Sequence, residues 1–175
     1  MKLFLGIDPG LHGALACFST IRGRRSPDIF DTPYLLKNKK KHSDVRGMAE
    51  ILQKYNPELF VDVRVYAAIE EVHTMPKQGV SSSGKFMHNF GIWLGLLECL
   101  WGGNFDYRTV TPQQWKKYYG LNGKPKDMAL DVAKELWPGI DLLRPTPGGT
   151  KLNPCVDRAD AALIANYIRE QHKTM

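Results

Sequence analysis

The sequence predicts an α/β domain whose mixed five-stranded central sheet is flanked by helices. Short apolar runs bounded by turn residues indicate five strands, at 2–7, 13–19, 28–31, 63–72 and 107–110. The first two strands are joined by the turn residues Asp8-Pro9-Gly10, which predicts a β-hairpin. Strands come first and then alternate with helical segments, and this order is typical of a sheet that holds both antiparallel and parallel strands.

Five helices are predicted from apolar periodicity and capping residues. They are one capped by Ser43 and running to about residue 55, one at about 83–101, one starting at Thr111-Pro112, one at 126–136 and one at about 157–171. Pro, Gly and Thr are frequent in 144–154, which predicts a loop there. Because no stretch has the composition of a domain linker, the 175 residues are predicted to form one domain, 1–175.

The composition is ordinary for a globular protein, with 43% hydrophobic and 24% charged residues. Cys17, Cys99 and Cys155 are widely spaced and form no CxxC pair, which indicates free thiols in a reducing compartment rather than a zinc site. The first strand begins almost at once and the longest apolar stretch is interrupted by glycines. Neither a targeting peptide nor a membrane helix is therefore expected, and the expected location is the cytoplasm.

The net charge of +6 suits a polyanionic partner without identifying one. One run of lysines is explained equally well by a solvated surface and by anion contact, and it consists of Lys37, Lys39, Lys40 and Lys41. A second group is interleaved with Trp115, Tyr118 and Tyr119, which favours contact with a nucleic-acid backbone. Its members are Lys116, Lys117, Lys124 and Lys126.

Carboxylates occupy three places where the pattern expects apolar residues. They are Asp8 after the first strand, Glu70 and Glu71 in the fourth, and Asp157 and Asp160 at the start of the last helix. Helix positions three apart share a face, and the carboxyl ends of neighbouring strands meet at one edge of an open α/β sheet. The sequence therefore predicts that these carboxylates converge.

Each position also has a local explanation, since Asp-Pro-Gly is a common turn and an aspartate at a helix start caps the helix or complements its dipole. The occurrence of all these carboxylates in one sequence indicates a role beyond turn formation and helix capping. Carboxylates about 5 Å apart repel by roughly 3 kcal/mol per pair at an effective dielectric constant near 20. Two Mg²⁺ or Mn²⁺ ions would offset four such charges, and a two-metal carboxylate site beside basic residues suits phosphodiester hydrolysis.

Three segments, FLGIDPGLHGALA, AIEEV and DRADAALIA, resemble the RuvC family of Holliday junction resolvases in their order and separation. MPKQGVSSSGKF and VTPQQWKKYYGL are similar to the short, phage-associated branch of that family. The resemblance covers nearly the whole chain. It implies an RNase H-like fold, a homodimer, and a metal-dependent nick in each of two opposed strands of a four-way DNA junction, in a bacterial cell or a phage-infected host cell.

The resemblance also implies which residues are catalytic. The family's metal-holding carboxylates fall on Asp8, on Glu70 rather than Glu71, and on Asp157 and Asp160, with two Mg²⁺ or Mn²⁺ ions per site. By the same precedent, cleavage leaves 5′-phosphate and 3′-hydroxyl ends.

DNA contacts are implied in two regions. The family's phosphate-contacting lysines fall near Lys116 or Lys117 and on Lys126, and Lys124 is grouped with them. In the segment after the glutamate, His73, Lys77 and Lys85 are assigned to DNA. His73 stands where the bacterial enzymes place an aromatic wedge, so the sequence preference at the cut is expected to differ.

The helix predicted at about 83–101 has two apolar faces. One carries large side chains such as Phe90, Trp93 and Leu97, and packing on the sheet explains it. The other is a line of smaller residues four apart that would let another helix approach, and it consists of Met87, Gly91, Gly95 and Cys99. We therefore expect a homodimer through this helix.

Two other functions fit part of the sequence. A non-catalytic branched-DNA-binding protein on the same fold would bind junctions without cutting them, and the presence of all four carboxylates argues against it. An actin-like or sugar-kinase-like ATPase would use GIDPG as a phosphate loop, but it needs two such domains and a second glycine-rich loop. Whether flaps and forks are substrates beside four-way junctions is left open by the sequence.

Overall fold

A computed structural model describes residues 2–19, 25–56, 63–71, 80–102, 105–146 and 149–173, with side chains in α2 described from Gly84 onward. In chain order the elements are β1 (Lys2–Asp8), β2 (Ala14–Ser19), β3 (Asp28–Asp31), β4 (Tyr34–Lys37), β5 (Lys40–Ser43), α1 (Val45–Gln53), β6 (Arg64–Glu70), α2 (Val80–Trp101), β7 (Phe105–Val110), α3 (Pro112–Tyr118), α4 (Met128–Leu136), β8 (Leu143–Pro145), β9 (Leu152–Pro154) and α5 (Val156–Gln171).

The central sheet has five strands in the order β3-β2-β1-β6-β7. The hairpin pair β1 and β2 is antiparallel, as is the pair β2 and β3. In contrast, β1 runs parallel to β6, and β6 runs parallel to β7. The predicted mixed five-stranded α/β sheet is confirmed, and the carboxyl ends of β1, β6 and β7 lie along one edge.

Helices cover both faces of the sheet because its central strands are apolar on both sides. Every residue of β1 from Leu3 to Asp8 is buried. The face that carries Leu5 and Ile7 packs against α1 and α2, where Met48 and Trp93 are fully buried. The opposite face packs against α3, α4 and α5. The result is a three-layer arrangement that supports the ends of β1 and β6 from both sides.

The helix α5 lies unusually close to β1. A Cβ added at Gly6 would overlap the backbone N of Ala165 and the carbonyl O of Ala161. Only glycine at this strand position leaves room for the helix backbone at this separation. The start of α5, with Asp157 and Asp160, is thereby held against the end of β1.

Two hairpins lie outside the central sheet, and the sequence predicted neither. The lysine run forms the hairpin β4–β5, whose turn residues Asn38 and Lys39 have φ of 51° and 61°. Positive φ at both positions is the requirement of a type I′ turn. The segment 144–154, predicted as a loop, contains most of the hairpin β8–β9. Both hairpins lack the apolar alternation by which strands are recognised.

Several helix boundaries also differ from prediction. The N-cap of α1 is Asp44 rather than Ser43, because the Asp44 carboxylate accepts a hydrogen bond of 3.0 Å from the backbone N of Gly47. Cys155 is the N-cap of α5, so Asp157 lies in the first turn rather than at the cap. None of the helices in the described part of the chain is long and apolar enough to cross a membrane.

Substitution at Gly6 provides a test of the packing between β1 and α5. We expect Gly6→Ala to lower the free energy of unfolding by about 3 kcal/mol, since a rigid backbone must move to admit the methyl group. Urea denaturation followed by circular dichroism measures this. Gly84→Ala is the control, because a Cβ at that exposed helix position meets nothing within 4 Å; it should leave stability unchanged or raise it by about 0.5–1 kcal/mol. Equal effects of the two changes would contradict the close packing.

Candidate active site

Asp8 and Glu70 lie side by side at the carboxyl ends of the parallel strands β1 and β6. Their preceding residues, Ile7 and Ile69, are partners in the strand register. Because side chains alternate along a strand, Asp8 and Glu70 project to the α5 side of the sheet. By the same alternation Glu71 is directed to the other side, and its backbone N donates to the carbonyl of Val110 at 2.8 Å. Of the two glutamates, Glu70 is the one next to Asp8.

Asp8 is a buried acid, with 8% of its surface exposed. The backbone N of Gly10 donates to Asp8 Oδ1 at 3.1 Å, so the carboxylate also orders the turn that follows it. Burial raises the pKa of Asp8 well above its ordinary value, and the charges of Glu70, Asp157 and Asp160 raise it further. The four predicted carboxylates are therefore close enough to interact electrostatically.

Glu70 is oriented by Trp115 of α3. The indole Nε1 of Trp115, which is fully buried, donates to Glu70 Oε1 at 2.9 Å. The start of α3 is held by a capping box between Thr111 and Gln114 and by Pro112 in its first turn. Burial raises the pKa of Glu70, against the opposing effects of the Trp115 hydrogen bond and of the nearby positive charge on Lys116.

Asp160 is half-buried. Its Oδ1 is buried and has no hydrogen-bond partner among the described residues. Burial raises the pKa of Asp160 to about 7, and the charge of Glu70 contributes to this increase. An unpaired, buried carboxylate oxygen is costly in a folded protein, and a bound cation would satisfy it.

Asp157, one helical turn before Asp160, is engaged by an arginine that the sequence did not single out. Arg144 of β8 donates from Nη1 to Asp157 Oδ2 at 3.2 Å. The same guanidinium binds the carbonyls of His12 and Gly13, at 2.6 and 3.1 Å, and Asp31 Oδ1 at 2.7 Å. Arg144 thus ties the hairpin β8–β9 to the β1–β2 turn and to the carboxylate cluster.

A second arginine completes this network. Arg158 of α5 makes two hydrogen bonds with the Asp31 carboxylate, from Nε at 2.7 Å and from Nη2 at 2.8 Å. Burial acts to raise the pKa of Asp31, but the hydrogen bonds from Arg158 and Arg144 outweigh it and lower that pKa. The sequence did place Asp31 at the end of a predicted strand, and in the structure β3 ends at the same edge of the sheet as β1. No sequence pattern marked Arg144.

The described carboxylates do not form a closed metal-binding site. Within the described ranges, no three His, Cys, Asp or Glu side chains are grouped tightly enough to hold a metal ion. The carboxylates of Asp8, Glu70, Asp157 and Asp160 are the oxygen donors at this edge of the sheet, and such donors suit Mg²⁺ or Mn²⁺.

The predicted DNA-binding lysines differ in their position relative to the carboxylate cluster. The charges of Lys116 and Lys126 lower the pKa values of Glu70 and Asp160, so both lysines lie beside the cluster. Lys117, Lys124 and Lys126 are exposed, as is Lys85 on α2, whereas Lys116 is half-buried. The other two predicted contacts, His73 and Lys77, lie outside the described residues.

Solved structures with this fold were found by comparison. A Thermus thermophilus RuvC in complex with a Holliday junction substrate is 14% identical, with a TM-score of 0.58 over 98% of this chain and 96% of that one. A second Thermus thermophilus RuvC structure is 16% identical, with a TM-score of 0.55 over 98% and 97% of the two chains. No protein-family model matches, and no curated protein matches in sequence. The predicted RNase H-like fold is thereby confirmed.

The buried acids make the stability of the metal-free protein depend on pH. Between the ordinary value of 3.8 and the native pKa of about 7, Asp160 binds its proton more tightly in the folded state than in the unfolded chain. The free energy of unfolding therefore falls as the pH rises through this window, by up to about 1.4 kcal/mol per pH unit for one proton. Asp160→Asn should remove this part of the decline.

Urea denaturation in EDTA at pH 5, 6, 7 and 8 measures the effect. The lowered pKa values of His12 and His172, each caused first by burial, act in the opposite direction. The informative quantity is therefore the difference between wild type and Asp160→Asn at each pH. A difference that stays constant across the range would contradict the raised pKa of Asp160.

Proposed function

We propose that this protein is a divalent-metal-dependent, structure-selective DNA endonuclease that resolves four-way junctions by paired nicks. The observation that carries the proposal is the group of mutually repelling carboxylates at one edge of the sheet beside Lys116, with Asp8 buried and Glu70 and Asp160 half-buried. Buried acids of this kind destabilise the fold unless a cation offsets them. The fold shared with a RuvC bound to a Holliday junction substrate supports the choice of DNA as substrate.

The residues present fit a metal pair. Asp8, Glu70 and Asp160 supply oxygen donors on rigid supports, and the unpartnered Oδ1 of Asp160 is available for coordination. Asp157 would be a further oxygen donor beside them. When bound, divalent ions would supply an activated water and charge neutralisation for attack on a phosphodiester. Trp115 holds Glu70 in place by its hydrogen bond of 2.9 Å.

The basic residues hold the DNA. Lys116 and Lys126 lie beside the carboxylates and would bind the phosphates nearest the cut, while the exposed Lys117, Lys124 and Lys85 would contact the backbone further away. His73 and Lys77 are proposed to contact DNA near the crossover. Binding through so many phosphates should weaken steeply with salt.

Paired nicking requires two active sites, which a two-fold dimer supplies. The second apolar face of α2 supports this arrangement, because Met87 is 49% exposed and nothing lies within 4 Å of a Cβ built at Gly91 or Gly95. We propose that two protomers meet along this face.

Cleavage of a labelled four-way junction in Mg²⁺ tests the activity. We expect Asp8→Asn and Glu70→Gln to reduce the rate by about 10³-fold or more, which corresponds to about 4 kcal/mol in the barrier. Glu71→Gln is the matched control, since it removes the same charge from the neighbouring position on the opposite face and should retain near wild-type activity. EDTA should abolish cleavage by the wild type.

Equal cleavage by wild type and Asp8→Asn would contradict the assignment. Tight junction binding without cleavage in either Mg²⁺ or Mn²⁺ would instead favour the non-catalytic DNA-binding protein. Flap and fork substrates in the same assay define the range of structures that are cut.

Light scattering after size exclusion tests the dimer. We expect Gly91→Arg to shift the protein from dimer to monomer, because two helices cannot approach closely around an arginine. Leu136→Arg, at another exposed apolar helix position, should leave the dimer intact. A monomeric wild type, or a dimeric Gly91→Arg, would contradict an interface along α2.

A further inference from the structure

A cavity of about 450 Å³ opens beside the carboxylate cluster, on the β3 side of the sheet. It is enclosed by the β1–β2 turn, the hairpin β4–β5 and the hairpin β8–β9. The lining residues that can meet a ligand with polar or aromatic groups are His12, Thr32, Tyr34, Lys41, Arg144 and Thr146. We call this space the hairpin cavity. Of the lysine run, which the proposed catalytic function does not use, Lys41 lines this cavity.

Lys41 is the principal cation of the hairpin cavity, and its position is constrained. Its Nζ lies 4.1 Å from the centroid of the Tyr34 ring and 3.4 Å from His12 Nδ1. A lysine that only solubilised the surface would extend into water. Here the ammonium is held between an aromatic ring and an imidazole, and it retains donors for a ligand because it carries three N–H groups and accepts none.

His12 is arranged as a second donor. A lysine ammonium can only donate, so its contact with Nδ1 makes that nitrogen the acceptor and leaves the proton on Nε2. Burial and the charge of Lys41 lower the pKa of His12, which favours the neutral ring. A neutral imidazole of this kind offers one N–H to an anion.

The wall of the hairpin cavity holds unsatisfied polar atoms. Thr32 is 3% exposed, and its Oγ1 has no hydrogen-bond partner among the described residues. The same holds for the buried Nε of Arg144. Asp31 brings a negative charge to the wall, but Arg144 and Arg158 both pair with it. Among the described residues, no ion pair joins Lys41 to an acid.

We propose that the hairpin cavity binds a backbone phosphodiester of the DNA strand that crosses the active site, with Lys41 and His12 as the phosphate donors. The inference rests on the proposed nuclease function. It extends the DNA contacts along the edge of the sheet to β3, away from Lys116 and Lys126 near β6. An oxyanion is the ligand that matches an ammonium and a neutral N–H directed to the same space.

The position of the hairpin cavity favours DNA over a free anion. Arg144 lines the cavity and also binds Asp157, so the two sites share one side chain. Lys116 lies beside Glu70 on β6, whereas the cavity adjoins β3, three strand spacings away or about 14 Å. A DNA strand lying across Asp8 would reach both basic groups with phosphates on either side of the cut.

Lys40 provides a matched control for Lys41. The two lysines are neighbours on β5, but side chains alternate along a strand, so Lys40 is directed away from the hairpin cavity. Lys41→Gln and Lys40→Gln remove the same charge from the same hairpin. Both are made in the Asp8→Asn background so that the DNA stays intact, and circular dichroism verifies the fold.

Fluorescence anisotropy with a labelled four-way junction over a series of salt concentrations measures the contact. We expect Lys41→Gln to weaken binding about tenfold and to reduce the slope of log K against log salt by about one, as for the loss of one phosphate contact. Lys41→Arg should retain the slope, and Lys40→Gln should change the affinity less than twofold. Equal losses for Lys41→Gln and Lys40→Gln would overturn the inference while leaving the nuclease proposal intact.

A second measurement separates DNA from a free anion. In ¹H–¹⁵N spectra of the imidazole groups, a short DNA strand should shift the His12 Nε2 signal at micromolar concentration, and inorganic phosphate should not. Equal shifts by both at the same concentration would make the cavity a general anion site and overturn the assignment to DNA. If the Asp8→Asn protein binds no DNA structure at all, the nuclease proposal and this inference both fail.

Discussion

The close contact between α5 and β1 is the constraint on which the rest of the site depends. At Gly6 the backbone of the helix takes the space that a side chain would fill, and Ala161 and Ala165 face it. Because the helix cannot move outward or slide without losing this fit, its first turn is held at the end of β1. The close packing of α5 on β1 therefore helps to bring Asp157 and Asp160 to Asp8 and Glu70.

Electrostatics then acts against this packing. Burial and mutual repulsion raise the pKa values of Asp8, Glu70 and Asp160, so the metal-free site favours bound protons. Basic residues on two sides of the carboxylate cluster limit the destabilisation that this repulsion causes. Lys116 and Lys126 lie on the β6 side, and Arg144 and Arg158 on the β3 side. Arg144 has a particular position, because it contacts both Asp157 of the cluster and Asp31.

The likeness to the two RuvC structures is one of backbone architecture, at 14% and 16% identity. A fold of this kind supports many activities, so function has to be argued from the site. Here the argument comes from a few atoms: a buried Asp160 oxygen without a partner among the described residues, a Glu70 carboxylate oriented by Trp115, and lysines close enough to affect both acids. None of these depends on the overall likeness.

The sequence by itself determined the central sheet and the acidic positions, because both depend on local patterns. Apolar runs define the strands, and Asp8 and Glu70 interrupt them where strands end. The tertiary structure decided the rest. The lysine run lies in a hairpin whose turn has positive φ at Asn38 and Lys39. No apolar pattern in the sequence predicts this hairpin. Arg144 reached Asp157 and Asp31 from a segment predicted as a loop. Contacts between distant segments depend on how the layers pack, and a periodicity within one segment carries no information about its neighbours.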